Sequence, residues 1–167
     1  GATGGTSSVI DRHAVDDATS LVAPMQETTL DGLRCTWTPG SGGVASAGSG
    51  GRATYSFQIP ATGSYSFKFL VRTPNANDDS WHIQIDGGTP VVWNDVGINN
   101  PVGWRWVTWS TVALTAGTHS LTVHQREDGA AMAAIKVSDV AATGELGEDE
   151  RFADFQLPEF NSITRRS

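Results

Sequence analysis

Hydrophobic and polar positions alternate through the middle of the chain. Ala53, Tyr55, Phe57 and Ile59 are separated by polar neighbours; after a turn at Pro60-Ala61-Thr62-Gly63, Tyr65, Phe67, Phe69 and Val71 repeat the pattern. Trp81, Ile83 and Ile85 then face one way, while His82, Gln84 and Asp86 face the other. A period of two predicts strands with one buried face. Weaker signals predict strands near residues 20–25 and 33–37, the latter closed by Pro39 and a Gly/Ser-rich loop over 40–51. Further strands are expected at 91–93, 106–114, around Leu121 and Val123, and at 132–138, with turns at Asp86-Gly87-Gly88, Ala116-Gly117 and Arg126–Gly129. No long stretch shows a 3.6 period, so almost no helix is expected. This many short, regularly punctuated strands predict an all-β sandwich or barrel.

The ends read differently. Gly1–Ser8 has linker composition, and residues 1–14 are expected to be a flexible linker. Residues 15–142 are read as the β-sandwich. Residues 143–167 are read as a tail or linker, acidic at first and then carrying Phe152, Phe155, Leu157 and Phe160. A docked segment or vector-derived sequence would also account for them.

Composition narrows the class of partner. The chain has 167 residues, enough for one domain with tails. Its net charge of −7 argues against nucleic acid, which favours basic stripes. No apolar run approaches the ~18 residues of a membrane span. No signal peptide is visible, so any targeting segment is expected to be removed or left out. The single cysteine, Cys35, forbids an internal disulfide and a cysteine-based zinc site.

Five of the six tryptophans fall between residues 80 and 109: Trp81, Trp93, Trp104, Trp106 and Trp109. The segment from Asn94 to Gly103 is rich in Asn, Gly and Pro and reads as loop, with tryptophans at both ends. Such a loop is a poor core and suits a flat, polar-rimmed ligand such as a sugar ring. Trp81, Trp109, Tyr55 and Tyr65 lie within alternating strands and are expected in the core. Trp104 follows Pro101-Val102-Gly103 at a loop–strand junction, where an indole is expected to stand out from the sandwich.

The stretch YSFQIPATGSYSFKFLVRTPNANDDSWHIQIDGG, followed by Trp93, GWRWVTW, LTAGTHSLTV and REDGAAMAAIKV, resembles family 6 and family 35-like carbohydrate-binding modules over roughly residues 15–142. The resemblance implies a β-sandwich of the galactose-binding-like, jelly-roll type. It also implies a non-catalytic module that holds a secreted enzyme on polysaccharide, with an oligosaccharide or polysaccharide as partner and the parent glycan-degrading enzyme in the same chain. A secreted, monomeric protein follows as an expectation. By the same resemblance Trp104 is the first candidate for stacking on a sugar, Trp37 the second, and Trp93 and Trp106 the next. Asn94, Arg126 and Glu127 are candidates for reading hydroxyls, though Arg126 and Glu127 equally suit a loop brace. The family often holds a structural calcium with glutamates near the start and an acidic residue in the last strand. Here Asp17, with Asp16, stands in for the glutamates, and Ala133 takes the last-strand position. Calcium favours several carboxylates among 6–8 oxygen ligands, so the resemblance implies a weakened calcium site at best.

Catalytic signatures are missing. No histidine pair has metal-ligand spacing, and HExxH is absent. His82 and His124 on polar strand faces, and His13 and His119 near turns, are read as surface histidines. Glu127 and Asp128 adjoin each other on a turn, which ill suits the ~5–10 Å separation of a glycosidase pair across a sugar. The tyrosines a lyase would use as base are read as buried. The rival readings are a structural or adhesion sandwich that binds protein and, less favoured, a glycan-cleaving enzyme.

Overall fold

The computed structural model describes residues 9–40, 45–94, 96 and 103–140. The expected tail over 143–167, the first eight residues of the expected linker, and most of the loop between Asn94 and Gly103 lie outside the described residues.

Eleven strands are described: β1 (Val9–His13), β2 (Ser20–Val22), β3 (Gln26–Leu30), β4 (Leu33–Trp37), β5 (Arg52–Ile59), β6 (Gly63–Arg72), β7 (Trp81–Ile85), β8 (Val91–Trp93), β9 (Arg105–Leu114), β10 (Gly117–Gln125) and β11 (Ala131–Asp139). They form two antiparallel sheets. One runs β3-β4-β11-β6-β9, with β1 also on β11; the other runs β2-β5-β10-β7-β8. This is the expected all-β sandwich. The alternating side chains of β5, β6, β7 and β10 meet between the sheets, where Tyr55, Phe57, Tyr65, Phe67, Phe69, Ile83, Leu121 and Val123 are buried. Burial of these faces supplies most of the stabilisation, at about 25 cal/mol per Å² of apolar surface. Both core tyrosines satisfy their hydroxyls locally: Tyr55 donates to Ala14 O at 2.7 Å and Tyr65 to Ala61 O at 2.6 Å.

A bulge in β9 resets the alternation of core-facing residues beyond Trp109. The β6–β9 register shifts between Phe67 and Lys68, leaving Trp109 as the extra residue. Val107 faces the core before the bulge, and Val112 and Leu114 after it. A bulge changes which alternate residues point inward. Trp109 packs edge-on against Phe67 and Phe69, with centroids 5.8 and 6.5 Å away. Trp106, on the other side of the strand, is directed to the outer face of the first sheet.

Two expectations are corrected. Residues 9–13 are not linker. They pair residue for residue with β11, from Val9↔Ser138 to His13↔Ala134. Their two apolar residues among charged ones give no clear period, so only the partner strand reveals this strand. A hairpin, β3–β4, also occupies a region read as one strand. Leu30 and Leu33 pair across Asp31-Gly32, both at positive φ (49° and 86°), as the favoured two-residue hairpin turn requires.

Candidate functional site

Three of the predicted site residues come together outside the sandwich core. Trp37, Trp104 and Trp106 are half-buried. With Leu30 and Leu33 they pack against a second apolar cluster of Cys35, Leu70, Ala131, Ala133 and Ala134. The register explains the grouping. Trp37 ends β4 opposite Ala131, Trp106 lies opposite Leu70, and Leu70 lies opposite Ala134. The alanines of β11 make a low floor over which the indoles can lie. The β3–β4 hairpin closes one side, where Arg72 of β6 holds Asp31 of the hairpin tip at 2.7 Å.

Trp104 does not stand clear of the protein as expected. Its Nε1–H donates to Leu30 O at 2.9 Å, which fixes the indole edge against the hairpin. Trp106 takes Lys136 Nζ over its ring at 5.2 Å, within cation–π range. Trp93 belongs elsewhere. It stacks at a tilt on buried Trp81 (5.7 Å) and on Phe69 (5.2 Å), capping the sandwich core from edge strand β8. The strand over 91–93 is the expected one; Trp93 became a candidate because it borders the loop that follows, and only the pairing of β8 with β7 reveals that its indole turns onto the core. Trp81, Tyr55 and Tyr65 are buried and Trp109 packs on the core, as expected.

The polar candidates form a brace. Arg126 NH1 donates to Ser80 Oγ (2.7 Å), Asn94 Oδ1 (3.2 Å) and Glu127 Oε2 (3.4 Å). Glu127 Oε1 accepts from the Asp79 amide at 2.8 Å. This ties the β10–β11 loop to the β6–β7 loop and to Asn94, which is itself exposed. The same β10–β11 loop reaches the tryptophan cluster, since the Gly129 amide donates to Thr38 O, beside Trp37, at 2.8 Å. Brace and aromatics thus share one end of the sandwich.

The residues present do not fit a calcium ion. Asp17 Oδ2 accepts the His13 amide at 2.7 Å, closing the turn after β1. Asp16 Oδ1 accepts from Arg34 NH1 at 2.8 Å, and Arg34 Nε donates to Glu27 at 2.8 Å. Ala133 does lie beside this turn, its carbonyl taking the Ala14 amide, but it brings a methyl group where a carboxylate is needed. Among the described residues no three His, Cys, Asp or Glu side chains gather to hold a metal.

The histidines are not on the surface. All four are at most 9% exposed. His13 Nδ1 accepts the amides of Val15 and Asp16 at 3.1 Å, so the ring is neutral there, and burial lowers its pKa. His119 places Nδ1 2.6 Å from Asp86 Oδ2 and Nε2 2.7 Å from Thr115 O. Both partners are acceptors, so both nitrogens carry protons, and the hydrogen bond to Asp86 raises the pKa. His82 lies under the loop beginning at Ala45, whose carbonyl it meets at 2.9 Å. A polar strand face was read as solvent because the covering loop lies 37 residues away in sequence.

The fold is that of the family 6 and family 35 carbohydrate-binding modules. The family 6 module of lichenase 5A from Cellvibrio mixtus, solved with cellotriose, superposes with a TM-score of 0.60 at 20% identity, over 80% of this chain and 98% of that one. The C-terminal family 6 module of a marine laminarinase from Zobellia galactanivorans gives 0.57 at 16%, over 78% and 99%. A family 35 module from Clostridium thermocellum gives 0.55 at 17%, over 77% and 98%. No family model and no curated protein matches the sequence.

Proposed function

We propose that the chain is a non-catalytic carbohydrate-binding module that holds a secreted, glycan-degrading enzyme on polysaccharide. The observation that carries this reading is the gathering of Trp37, Trp104 and Trp106 on a separate apolar cluster, outside the sandwich core and half open to solvent. Core packing alone does not call for three indoles there. Partly exposed indoles on a rigid sheet offer flat apolar surface to a pyranose ring, and nearby polar groups such as Asn94 can orient its hydroxyls. The likeness to modules that include one solved with cellotriose supports the same ligand class. Arg126 and Glu127 act as braces that hold the loop end in shape.

The test is binding of the isolated chain to a glycan array and to insoluble polysaccharides, with a reducing-sugar assay alongside. Retention on at least one glycan without release of sugar is expected. Binding to none, or time-dependent depolymerisation by the pure protein, would sink the reading.

A further inference from the structure

On the outer face of the second sheet, His124 and His82 stand opposite each other in the β10–β7 register. They are 6% and 8% exposed. The same row continues to Arg52 on β5 and Val92 on β8, and Thr122 lies opposite Gln84 two positions along.

Hydrogen bonding fixes the tautomer of both rings. His82 Nε2 meets the Ala45 carbonyl at 2.9 Å, and a carbonyl only accepts, so Nε2 carries the proton. His124 Nε2 meets Gln84 Oε1 at 2.7 Å, while Gln84 Nε2 donates to Gly88 O at 2.9 Å. The amide is thereby held with its oxygen towards His124, whose Nε2 is again the donor. An imidazole that donates from Nε2 keeps, when neutral, its lone pair at Nδ1. Among the described residues His124 Nδ1 is buried with no hydrogen-bond partner, and the hydrogen bond described for His82 uses Nε2. The other two histidines differ, because His13 Nδ1 accepts two amides and both nitrogens of His119 are engaged.

We propose that His82 and His124 form a two-imidazole site for a divalent d-block cation, copper(II) in preference to zinc or nickel, with water completing the coordination. Cross-strand partners place their Cβ atoms about 4.5–5.5 Å apart, a spacing that lets two imidazoles share one ion at roughly 2 Å each. Metal-bound histidines commonly donate the opposite N–H to a carbonyl or carboxylate, which fixes the ring and raises ligand basicity; Ala45 O and Gln84 Oε1 fill that position here. Burial, then His82, then Arg52 lower the His124 pKa, so its lone pair is available at neutral pH. Arg52 also opposes any cation. With no carboxylate in the row, hard ions such as calcium are poorly matched. Strong imidazole bonding favours copper at the head of the divalent series. No third His, Cys, Asp or Glu joins the pair among the described residues.

The test is copper(II) added to the full chain at pH 7 and read by electron paramagnetic resonance, with thermal melts in parallel. Wild type should show coupling to two imidazole nitrogens and a copper-dependent rise in Tm. His82→Gln and His124→Gln should each lose the coupling and bind at least tenfold more weakly, whereas His119→Gln should keep both. Copper held with an unchanged spectrum in the first two variants lies elsewhere on the chain and overturns the proposal. Should either variant fail to fold, wild type alone decides. On zinc addition the Nδ1 resonances of His82 and His124 should move more than their Nε2 resonances, and no change at either Nδ1 overturns it equally.

Discussion

Trp104 is the residue at which stability and binding should be most tightly joined. A fully buried indole covers about 150–250 Å². Trp104 is half-buried, so truncation to alanine returns on the order of 100 Å² to water, worth about 2.5 kcal/mol at 25 cal/mol per Å². The Nε1–H bond to Leu30 O adds about 1 kcal/mol, giving roughly 3.5 kcal/mol for Trp104→Ala. For a domain of this size 1 kcal/mol moves Tm by about 4 °C, so the loss should be about 10–15 °C. Trp104→Phe keeps most of the area and loses the donor, so it should cost about 1 kcal/mol, or ~4 °C. Binding should fall by about 1–3 kcal/mol in the alanine variant, by analogy with base–aromatic stacking, and by less in the phenylalanine variant. Calorimetric melts give the first pair of values, and titration with the glycan selected on the array gives the second. An alanine variant that melts like wild type would refute the packing described for this indole. One that loses stability and keeps full affinity would place the ligand elsewhere.

Three further outcomes follow from the structure. His119 has its pKa raised, so its contribution is full below about pH 6.5 and is lost as pH rises through the folded value; the Tm gap between wild type and His119→Gln should narrow from pH 6 to pH 9, and a gap that widens would refute the doubly donating imidazolium. A Cβ at Gly51 would collide with the backbone of Met25 and Val22, so Gly51→Ala should cost at least the ~1–3 kcal/mol typical of overpacking, while Gly48→Ala, in open space at φ +86°, should cost about 1 kcal/mol from backbone strain alone. Because Asp16 and Asp17 are committed to Arg34 and the His13 amide, calcium or a chelator should leave Tm unchanged, and a clear fall in chelator would reveal a tight site with other ligands.

The sandwich was legible in sequence because its central strands each bury one face, which writes a period of two directly into the residues from Ala53 to Ile85. Strands made by pairing rather than by burial were not legible. β1 has mixed composition, and β3 has every residue exposed or half-exposed. The Asp31-Gly32 turn was nonetheless a hairpin signal open to reading. At the site, the tryptophans were identifiable as a group, and their division was legible except at Trp93. Trp93 joins the core because β8 pairs with β7, whereas Trp106 and Trp109, three residues apart on one strand, part company by alternation as expected. Of the three alanines of β11, only Ala133 drew a reading, as the loss of a calcium ligand. Their other meaning, a floor for the indoles, needs the outer face of the sheet to be seen. Buried His82 shares that cause, since a loop distant in sequence meets it.

The most direct measurement of the central claim follows the six indole N–H resonances of the ¹⁵N-labelled chain during titration with an array-selected oligosaccharide. Trp37, Trp104 and Trp106 should shift together and saturate at one affinity, while Trp81, Trp93 and Trp109 stay in place. Saturable shifts confined to Trp81, Trp93 and Trp109, with the other three unmoved, would contradict the account.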